Sequence, residues 1–359
     1  MSGYKPLVTV GMATFNGAEY LSDSLRSILG GSYSNIELLV VDDGSTDDSV
    51  AIAKRAEDHR IRIISNDSNG GLVRIRQQIM QEARGTYLAW LDQDDIAYPN
   101  RIASQVAFLE CNQNVGACGS WTTHRIHNPS GEESLRKSPA PGRYEDIRAS
   151  MPFVNPISFN TATMRLSAFR DNDLKFREEY GNTLDYDMWS RAADVMELRN
   201  IQEYLGEYRV YPSQTSRGPA AERMLQATWS VQREVLERNL GVKIDAEVNH
   251  VHRRITLTPR LLTSEPDAVD AGTWLRFLSE RNRVIGAYQE RDFENALGRQ
   301  WVVCLLHLSR SIGFAKTIKL AGSSHSITGL RIRNLSYGLR WLVKGQGSIV
   351  AHKLTKRRL

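Results

Sequence analysis

The sequence has few cysteines, and their spacing excludes two kinds of stabilising site. Only three occur among 359 residues, Cys111, Cys118 and Cys304, and none belongs to a Cys-x-x-Cys pair. Disulfide-rich secreted domains and cysteine zinc sites both need paired spacings, so neither fits this chain. The cysteine usage predicts a protein of a reducing compartment, the cytoplasm.

Long apolar runs are also lacking. No stretch reaches the roughly 18 uncharged apolar residues that a membrane-spanning helix needs, and the run at residues 7–13 is too short for a signal peptide core followed by a cleavage site. The 41% hydrophobic and 24% charged residues are typical of a globular protein. The length exceeds that of one usual domain, which predicts a large enzyme domain with an appendage.

Negative charge is missing from the C-terminal end. Residues 301–359 contain eleven Lys or Arg and no Asp or Glu, so the first 300 residues carry a net charge of −6 although the whole chain carries +5. Apolar residues alternate with these cations, as in a basic amphipathic helix that attaches reversibly to the anionic inner face of a cell membrane. A helical subdomain with a solvated basic face is the alternative. No recognised nucleic-acid-binding motif is present, so nucleic acid is not a predicted partner.

Strand and helix patterns alternate over the first 91 residues. Strands are predicted at residues 6–13, 36–41, 62–65 and 86–91. An amphipathic helix is predicted at residues 19–29 and another helix at residues 73–83. Residues 45–48 supply cap residues for a helix that continues to about residue 57. This order predicts an α/β fold with a mostly parallel sheet and helices on both faces. The ligand site of such a sheet lies beyond the carboxyl ends of its strands.

The later part of the chain gives weaker signals. Residues 112–182 include loops rich in Pro, Ser and Gly, a helix is predicted near Leu184, and breaks at residues 211–213 and 218–219 indicate a boundary. We therefore predict two domains, at residues 1–217 and 218–359. The second is predicted to be mainly helical and basic, and suited to bind a membrane surface or an acceptor.

An acidic run follows the fourth predicted strand, at Asp92-Gln93-Asp94-Asp95. Carboxylates placed together at the edge of an apolar core repel one another unless a cation lies among them. Oxygen ligands favour Mg²⁺ or Mn²⁺, which keep open positions for substrate phosphates. A solvated acidic turn is the simpler interpretation of so short a motif.

Several motifs together resemble glycosyltransferase family 2, closely over residues 6–110 and loosely over residues 150–217. They are Thr14-Phe15-Asn16, Asp42-Asp43-Gly44-Ser45, Asn69-Gly70-Gly71 before Arg76, and the segment at residues 85–95 that ends in the acidic run. The resemblance implies a GT-A fold and an inverting, metal-dependent glycosyltransferase of the hexosyltransferase type. Its donor would be a nucleoside-diphosphate sugar, a UDP-sugar in particular.

The resemblance also implies roles for these residues. Asp94 matches the metal-binding aspartate for Mn²⁺ or Mg²⁺, with Asp92 as the first acid of the motif. Asp42 and Asp43 match the pair that recognises base and ribose. The rest of the implied nucleotide site consists of Thr14, Phe15 (a ring packed on the base), Asn16, Arg76 (a cation near the nucleotide) and Gln93. Taken singly, Phe15 could be core, Arg76 a surface residue and Asp43 a turn former.

A candidate general base lies in residues 184–189, Leu-Asp-Tyr-Asp-Met-Trp. They resemble the family segment Glu-Asp-Tyr-Asp-Leu-Trp, which implies that Asp185 is the base and Asp187 the second candidate, although Leu184 replaces the usual acid. Both aspartates could instead be favoured by the helix dipole. One base and no obvious covalent nucleophile predict a single displacement that inverts the anomeric carbon. Residues 213–217 resemble a loop over the diphosphate, or form an ordinary linker.

These features predict a role in surface polysaccharide or glycolipid synthesis, with a saccharide or lipid-linked acceptor. A non-catalytic nucleotide-sugar-binding protein and a sugar-phosphate nucleotidyltransferase are the alternatives. The latter typically opens with a Gly-x-Gly-Thr-Arg loop, which is missing here. Dinucleotide-binding and P-loop motifs are missing as well.

Overall fold

The structure of the protein, a computed structural model, describes residues 5–127, 132–211, 214, 219–243 and 246–322. The chain divides into two compact units, the first within residues 1–144 and 157–227 and the second within residues 145–156 and 228–359. The predicted boundary between residues 217 and 218 falls just before the helix Pro219–Leu240, in which the chain passes from the first unit to the second.

The first unit contains the sheet and the helices that cover it. Its strands are β1 (Val8–Thr14), β2 (Ile36–Asp42), β3 (Ile61–Ser65), β4 (Tyr87–Trp90), β5 (Ile96–Ala97), β6 (Val115–His127), β7 (Glu133–Ser138), β8 (Thr163–Arg165) and β9 (Glu197–Val210). Its helices are α1 (Ala18–Leu29), α2 (Ser49–Arg55), α3 (Leu72–Glu82), α4 (Arg101–Cys111), α6 (Leu166–Asp171) and α7 (Leu184–Ala192). Between α4 and α6, α5 (Tyr144–Ser150) leads into the second unit.

Among the described residues, nine strands form one sheet in the order β3-β2-β1-β4-β8-β6-β9-β5, with β7 paired to β6. Strands β1 to β4 are parallel, as predicted. The register places Thr14 beside Asp42 and Asp42 beside Ser65, so the polar ends of these strands meet at one edge. The predicted α/β class is confirmed.

The other half of the sheet is mixed, and the weak signals of residues 112–182 did not predict it. β8 is antiparallel to β4 and β6, β7 is antiparallel to β6, and the long strands β6 and β9 are parallel. The short strand β5, which immediately follows Asp95, pairs with Gly206 and Glu207 of β9. The end of β9 is thereby brought to the acidic run from a distant part of the sequence.

Apolar side chains on both faces of the parallel strands hold the helices in place. On one face, Leu21 and Leu25 of α1 recur at helical spacing and belong to the same buried cluster as Val10 of β1. Burial of each such side chain contributes about 1.5–3 kcal/mol. On the other face, a Cβ at Gly11 would lie 2.4 Å from Ile79 Cγ2 of α3, so glycine permits this close approach.

The second unit is helical in its described residues, which confirms the predicted helical C-terminal region. It contains most of α8 (Pro219–Leu240), together with α9 (Ala246–Thr256), α10 (Glu265–Ile285), α11 (Glu290–Ile312) and α12 (Phe314–Gly322). Its buried core includes Leu236, Leu275, Phe293 and Leu297.

The basic stretch that starts at residue 301 begins inside this core. Trp301, Cys304 and Leu308 of α11 are buried, so the first part of the stretch is not a surface tail. Eight of the eleven cations belong to residues 323–359, and the amphipathic segment predicted there lies outside the described residues. Within the part of the chain that the structure describes, no helix has the length and apolarity needed to cross a membrane.

A buried histidine joins three segments of the second unit. The Nε2 atom of His252 lies 3.0 Å from the carbonyl oxygen of Pro152, and its Nδ1 accepts a hydrogen bond of 2.9 Å from the indole N–H of Trp274. The neutral ring with its proton on Nε2 satisfies both contacts. Burial lowers the pKa of His252 to about 4, although the Pro152 carbonyl opposes that shift.

We expect His252 to make the second unit less stable in acid. Because its pKa is lowered to about 4 in the folded protein and is about 6.5 in an unfolded chain, the unfolded state binds the proton first as the pH falls. The free energy of unfolding should be unaffected by this group above pH ~6.5 and lower by about 2 kcal/mol at pH ~5. Urea unfolding at neutral pH and at the acidic pH measures the loss. The same loss in the His252→Gln variant would contradict this assignment.

Candidate active site

The site is built where β1, β2 and β4 end. Thr14 is the last residue of β1 and Asp42 the last residue of β2, and both are buried. Thr14 Oγ1 and Asp42 Oδ1 have no hydrogen-bond partner among the described residues. An unsatisfied buried polar atom costs about 1–3 kcal/mol, which a bound ligand with matching polar groups would recover.

Asp43 fixes the loop before α3. Its Oδ1 and Oδ2 accept hydrogen bonds from the backbone N–H groups of Gly70 and Gly71, at 3.0 and 2.8 Å. Gly71 has φ = 89°, a conformation that favours glycine. The Asp43 carboxylate, predicted to contact the nucleotide, is thus bonded to the chain itself, whereas Asp42 has a buried oxygen with no partner among the described residues.

Asn16 joins the first two loops. Its backbone N–H donates to Ser45 Oγ at 2.9 Å, and its Oδ1 accepts from the N–H of Thr46 at 2.9 Å. With φ = 46°, Asn16 occupies the left-handed region, which asparagine tolerates better than most residues. Its side chain therefore organises the loops around the site.

Gln93 connects the first loop to the acidic run. Its Oε1 accepts from the backbone N–H of Phe15 at 3.0 Å, and its Nε2 donates to the Phe15 carbonyl at 3.2 Å. The Phe15 side chain is exposed, so it is not a core residue. An exposed ring on a fixed backbone is available to stack on a planar ligand.

Arg76 lies beside the acidic run rather than on the surface. It is buried, its Nη2 donates to Asp92 Oδ1 at 2.9 Å, and its Cζ lies 3.7 Å from the ring centroid of Phe159. The ring and the carboxylate together hold the guanidinium in one orientation. Arg76 therefore belongs to the same edge as the acidic run, with a carboxylate as its direct partner.

The acids of the run repel one another. Burial raises the pKa of Asp94, the charge of Asp92 adds to the shift, and a 2.7 Å hydrogen bond from the Tyr211 hydroxyl to Asp94 Oδ2 opposes it. Burial also raises the pKa of Asp95 well above its usual value, and the charges of Asp94 and Asp92 add to that shift. A cation at this edge would relieve the repulsion.

Arg101 supports the end of β4. It is fully buried, and its Nη2 donates to the carbonyl of Trp90 at 2.6 Å. Burial lowers the pKa of Arg101 to about 10, and the charges of Asp95 and Asp92 are among the influences that oppose this shift. The acidic run thus extends from a strand end that is anchored by a buried cation.

Asp185 lies in the first turn of α7 and is partly exposed. Burial raises the pKa of its carboxyl, the charge of Arg76 opposes this shift, and the charge of Asp92 adds to it. Asp185 is therefore close enough to both residues to interact with them electrostatically. A carboxylate with a raised pKa is suited to accept a proton.

Asp187 has a different environment. It is 0% exposed, its Oδ1 accepts from Arg177 Nε at 3.1 Å, and its Oδ2 accepts from Arg191 Nη2 at 2.7 Å. Both oxygens of this carboxylate are thus already bonded to guanidinium groups of the protein. These contacts favour a structural role for Asp187 and leave Asp185 as the better candidate base.

The described residues contain no group of three or more His, Cys, Asp or Glu that could hold a metal ion. A cation at Asp94 and Asp92 would therefore need further oxygen ligands from water or from a substrate, as Mg²⁺ at phosphate sites commonly does. The mutual repulsion of these carboxylates fits a cation shared between protein and substrate.

Sequence reasoning missed three residues that shape the site: Tyr211, Phe159 and Arg101. Tyr211 reaches Asp94 across 117 positions, and no motif connects the two. Phe159 lies in the stretch with weak signals, and Arg101 begins a helix whose sequence shows no sign that this end is buried. Of the loop predicted at residues 213–217, only Gln214 lies within the described residues.

We expect Asp187 and Asp185 to differ in their effect on stability. Asp187→Asn should lower the free energy of unfolding by about 3 kcal/mol, because it leaves two guanidinium groups without their buried partner. Asp185→Asn should change it by less than about 1 kcal/mol, because burial already disfavours its charged form. Chemical denaturation of the two variants measures both values. Equal losses would contradict the separation of their roles.

The chain is similar to proteins of one known family. The family described as Glycosyl transferase family 2 matches residues 9–172. An uncharacterized glycosyltransferase of Haemophilus influenzae is 34% identical over 220 residues, which cover 59% of this chain and 68% of that protein. The putative glycosyltransferase EpsE of Bacillus subtilis is 34% identical over 211 residues, which cover 57% of this chain and 73% of that protein.

Solved structures show the same fold at low identity. S. aureus TarS 1-349 in complex with UDP-GlcNAc superposes with a TM-score of 0.51 at 16% identity, over 87% of this chain and 90% of that chain. The mannosyltransferase PcManGT from Pyrobaculum calidifontis, in complex with GDP-Man and Mn²⁺, gives 0.50 at 15% identity, over 96% of this chain and 88% of that chain. The predicted GT-A type of α/β fold is therefore confirmed, and the chain belongs to glycosyl transferase family 2.

Proposed function

We propose that the protein transfers a sugar from a UDP-sugar to a hydroxyl of a saccharide or lipid-linked acceptor, with inversion of the anomeric carbon. The observation that carries this proposal is the arrangement of the acids around Arg76. Asp92 bonds directly to this buried cation, and Asp185 of another helix interacts with the same pair. A group suited to bind a donor and a group suited to accept a proton thus lie at one edge of the sheet.

The nucleotide would bind at the ends of β1 and β2. Asp42 Oδ1 and Thr14 Oγ1 are buried polar atoms without a partner among the described residues, so they are suited to the base and ribose. The Phe15 ring would stack on the base. Asp43, Asn16 and Gln93 would act through the loops that they hold in place.

Complexes of similar proteins support the donor class. TarS was solved in complex with UDP-GlcNAc and with UDP, and PcManGT in complex with GDP-Man and Mn²⁺. By analogy we propose a nucleotide sugar as donor here. We propose UDP in particular, with Asp42 accepting a hydrogen bond from the N3–H of uracil.

Asp94 and Asp92 are the residues that would hold Mn²⁺ or Mg²⁺. Such an ion, when bound, would neutralise negative charge on the departing diphosphate. Arg76 keeps Asp92 at the edge and adds a fixed positive charge beside it. The protein groups are thus already oriented before a donor arrives.

Asp185 is proposed as the general base. Its carboxylate would take the proton of the acceptor hydroxyl as that oxygen bonds to C1 of the sugar, while the C1–O bond to the diphosphate breaks and the nucleotide leaves. Leu184, where the family usually has an acid, is fully buried. This residue therefore belongs to the hydrophobic core, so the absence of the acid usual in the family leaves no polar position of the site empty.

Two substitutions test this function. With a panel of UDP-sugars and Mn²⁺, we expect the wild type to release UDP by transfer or hydrolysis, and Asp94→Ala and Asp185→Asn each to lower kcat by about 10²-fold or more. Asp173→Asn is the matched control, because its side chain is 80% exposed. Coupled detection of UDP measures the rates.

Two outcomes would replace the proposal. Mn²⁺-dependent thermal stabilisation by a nucleotide sugar, with no release of UDP from the donor in the presence of any acceptor, would indicate a non-catalytic binding protein. Formation of a nucleotide sugar from a nucleoside triphosphate and a sugar phosphate would indicate a nucleotidyltransferase.

We further propose that the region at residues 218–359 brings the enzyme to a lipid-linked acceptor in surface polysaccharide or glycolipid synthesis. The support is the charge of residues 323–359, which carry eight Lys or Arg and no acid. About 1 kcal/mol for each cation at an anionic surface would give reversible attachment of the cytoplasmic protein at the inner face of the membrane.

Vesicle binding tests the role of these cations. Replacement of Arg331, Arg333, Arg340 and Lys344 by Gln should weaken binding to phosphatidylglycerol vesicles by about tenfold or more at low salt. Sedimentation with vesicles measures it, and neutral phosphatidylcholine vesicles are the control. Truncation near residue 300 is unsuitable, because it would remove buried residues of α11 such as Cys304. Unchanged binding of the quadruple variant would contradict the membrane role.

A further inference from the structure

Tyr211 connects the end of β9 to the acidic run. Its hydroxyl donates a 2.7 Å hydrogen bond to Asp94 Oδ2, across 117 positions of sequence. The preceding residues of β9 are already fixed there, because the backbone N–H of Arg209 donates to Asp95 Oδ1 at 2.9 Å. The end of β9 therefore holds Tyr211 in a defined position beside Asp94.

The Tyr211 ring packs on a support that begins in α1. Its centroid lies 5.0 Å from the centroid of the Tyr20 ring. The Cζ atom of Arg209 lies 4.8 Å from the Tyr20 centroid, and Arg209 Nη2 lies 3.1 Å from Asp23 Oδ2. The contact between the rings and the paired guanidinium restrict the directions in which the Tyr211 hydroxyl can point.

This arrangement answers an electrostatic problem at Asp94. Its neighbours Asp92 and Asp95 are also acids, so repulsion favours an Asp94 side chain that turns away from them. Arg76 already places one cation beside Asp92, and a second cationic side chain bonded to Asp94 would add to the competition with a metal ion. Tyr211 is neutral, and one hydrogen bond uses only one of the roughly four acceptor positions of a carboxylate.

We propose that Tyr211 is a positioning residue that holds the Asp94 carboxylate ready for a divalent cation, with the Tyr20 ring as its support. This proposal rests on the proposed function, because it takes Asp94 as a metal ligand. Tyr211 itself does not ligate the cation. Its hydroxyl removes the need to reorient Asp94 when the cation binds.

Binding of Mn²⁺ alone to the full chain tests the proposal. The concentration of free Mn²⁺, followed by electron paramagnetic resonance, gives Kd without any donor or turnover. Tyr211→Phe should weaken Mn²⁺ binding about fivefold, the effect of losing one ordinary hydrogen bond. Tyr208→Phe is the matched control, because Tyr208 lies in β9 and its hydroxyl accepts from Gln214 Nε2 at 2.8 Å. It should leave Kd unchanged.

Two variants of Tyr20 test whether its ring supports Tyr211. Tyr20→Leu removes the ring and should weaken Mn²⁺ binding about two- to threefold. Aromatic pairs contribute about 0.5–1.5 kcal/mol, and only part of this energy restricts the orientation of the Tyr211 hydroxyl. Tyr20→Phe keeps the ring and should bind Mn²⁺ as the wild type does. Equal weakening in both variants would contradict a role for the ring.

The enzyme assay adds a second measurement, the dependence of the rate on Mn²⁺, which a purely structural role of Tyr211 would not change. In Tyr211→Phe, the Mn²⁺ concentration that gives half the maximal rate should rise about fivefold, while kcat at saturating Mn²⁺ stays within about twofold. A fall in kcat with no change in the Mn²⁺ requirement would overturn the positioning role.

Asp94→Asn separates the two proposals. If it abolishes Mn²⁺ binding and Tyr211→Phe leaves Kd unchanged, the positioning role of Tyr211 is wrong and the metal site stands. If Asp94→Asn leaves Mn²⁺ binding unchanged, the metal site of the proposed function is itself wrong.

Discussion

Mutual repulsion of three carboxylates at the end of a buried strand is the constraint around which this site is organised. Asp92, Asp94 and Asp95 follow β4 at the edge of the core, where desolvation and like charge raise the pKa of Asp94 and of Asp95. Each acid has its own protein partner: Arg76 for Asp92, Tyr211 for Asp94 and the backbone N–H of Arg209 for Asp95. Only the first of these three partner groups is a cation, so a bound metal ion would further stabilise the run.

The surrounding loops serve to hold this edge in shape. Asp43 bonds to the loop before α3, Asn16 bonds to the loop after β2, and Gln93 bonds to the backbone of Phe15. Each of these polar residues follows a parallel strand, but its side chain forms hydrogen bonds to a neighbouring loop. The strand ends themselves, at Asp42 and Thr14, carry the buried oxygens that lack a partner among the described residues and suit a ligand.

The sequence predicted the local parts of this arrangement and missed the distant ones. Apolar periodicity placed β1 to β4 and their helices, because each forms from a continuous segment whose pattern matches its burial. It could not give the pairing of β6 with β9, which depends on long-range register, and so it missed Tyr211. Spacing also did not show that Asp43 faces the backbone or that Asp187 lies between Arg177 and Arg191, since the partner of a carboxylate is set by packing.

Asp94 is proposed to deliver its carboxylate to a cation shared with a pyrophosphate, and the rest of the mechanism depends on this contact. A crystal soaked with MnCl₂ and UDP, measured at the manganese absorption edge, tests it most directly. We expect one anomalous peak at about 2.0–2.2 Å from an oxygen of Asp94, with a phosphate oxygen as a second ligand, by the distances typical of such ions. An ordered UDP with no manganese at this edge, or with Asp94 turned away from the ion, would contradict the proposed role of Asp94.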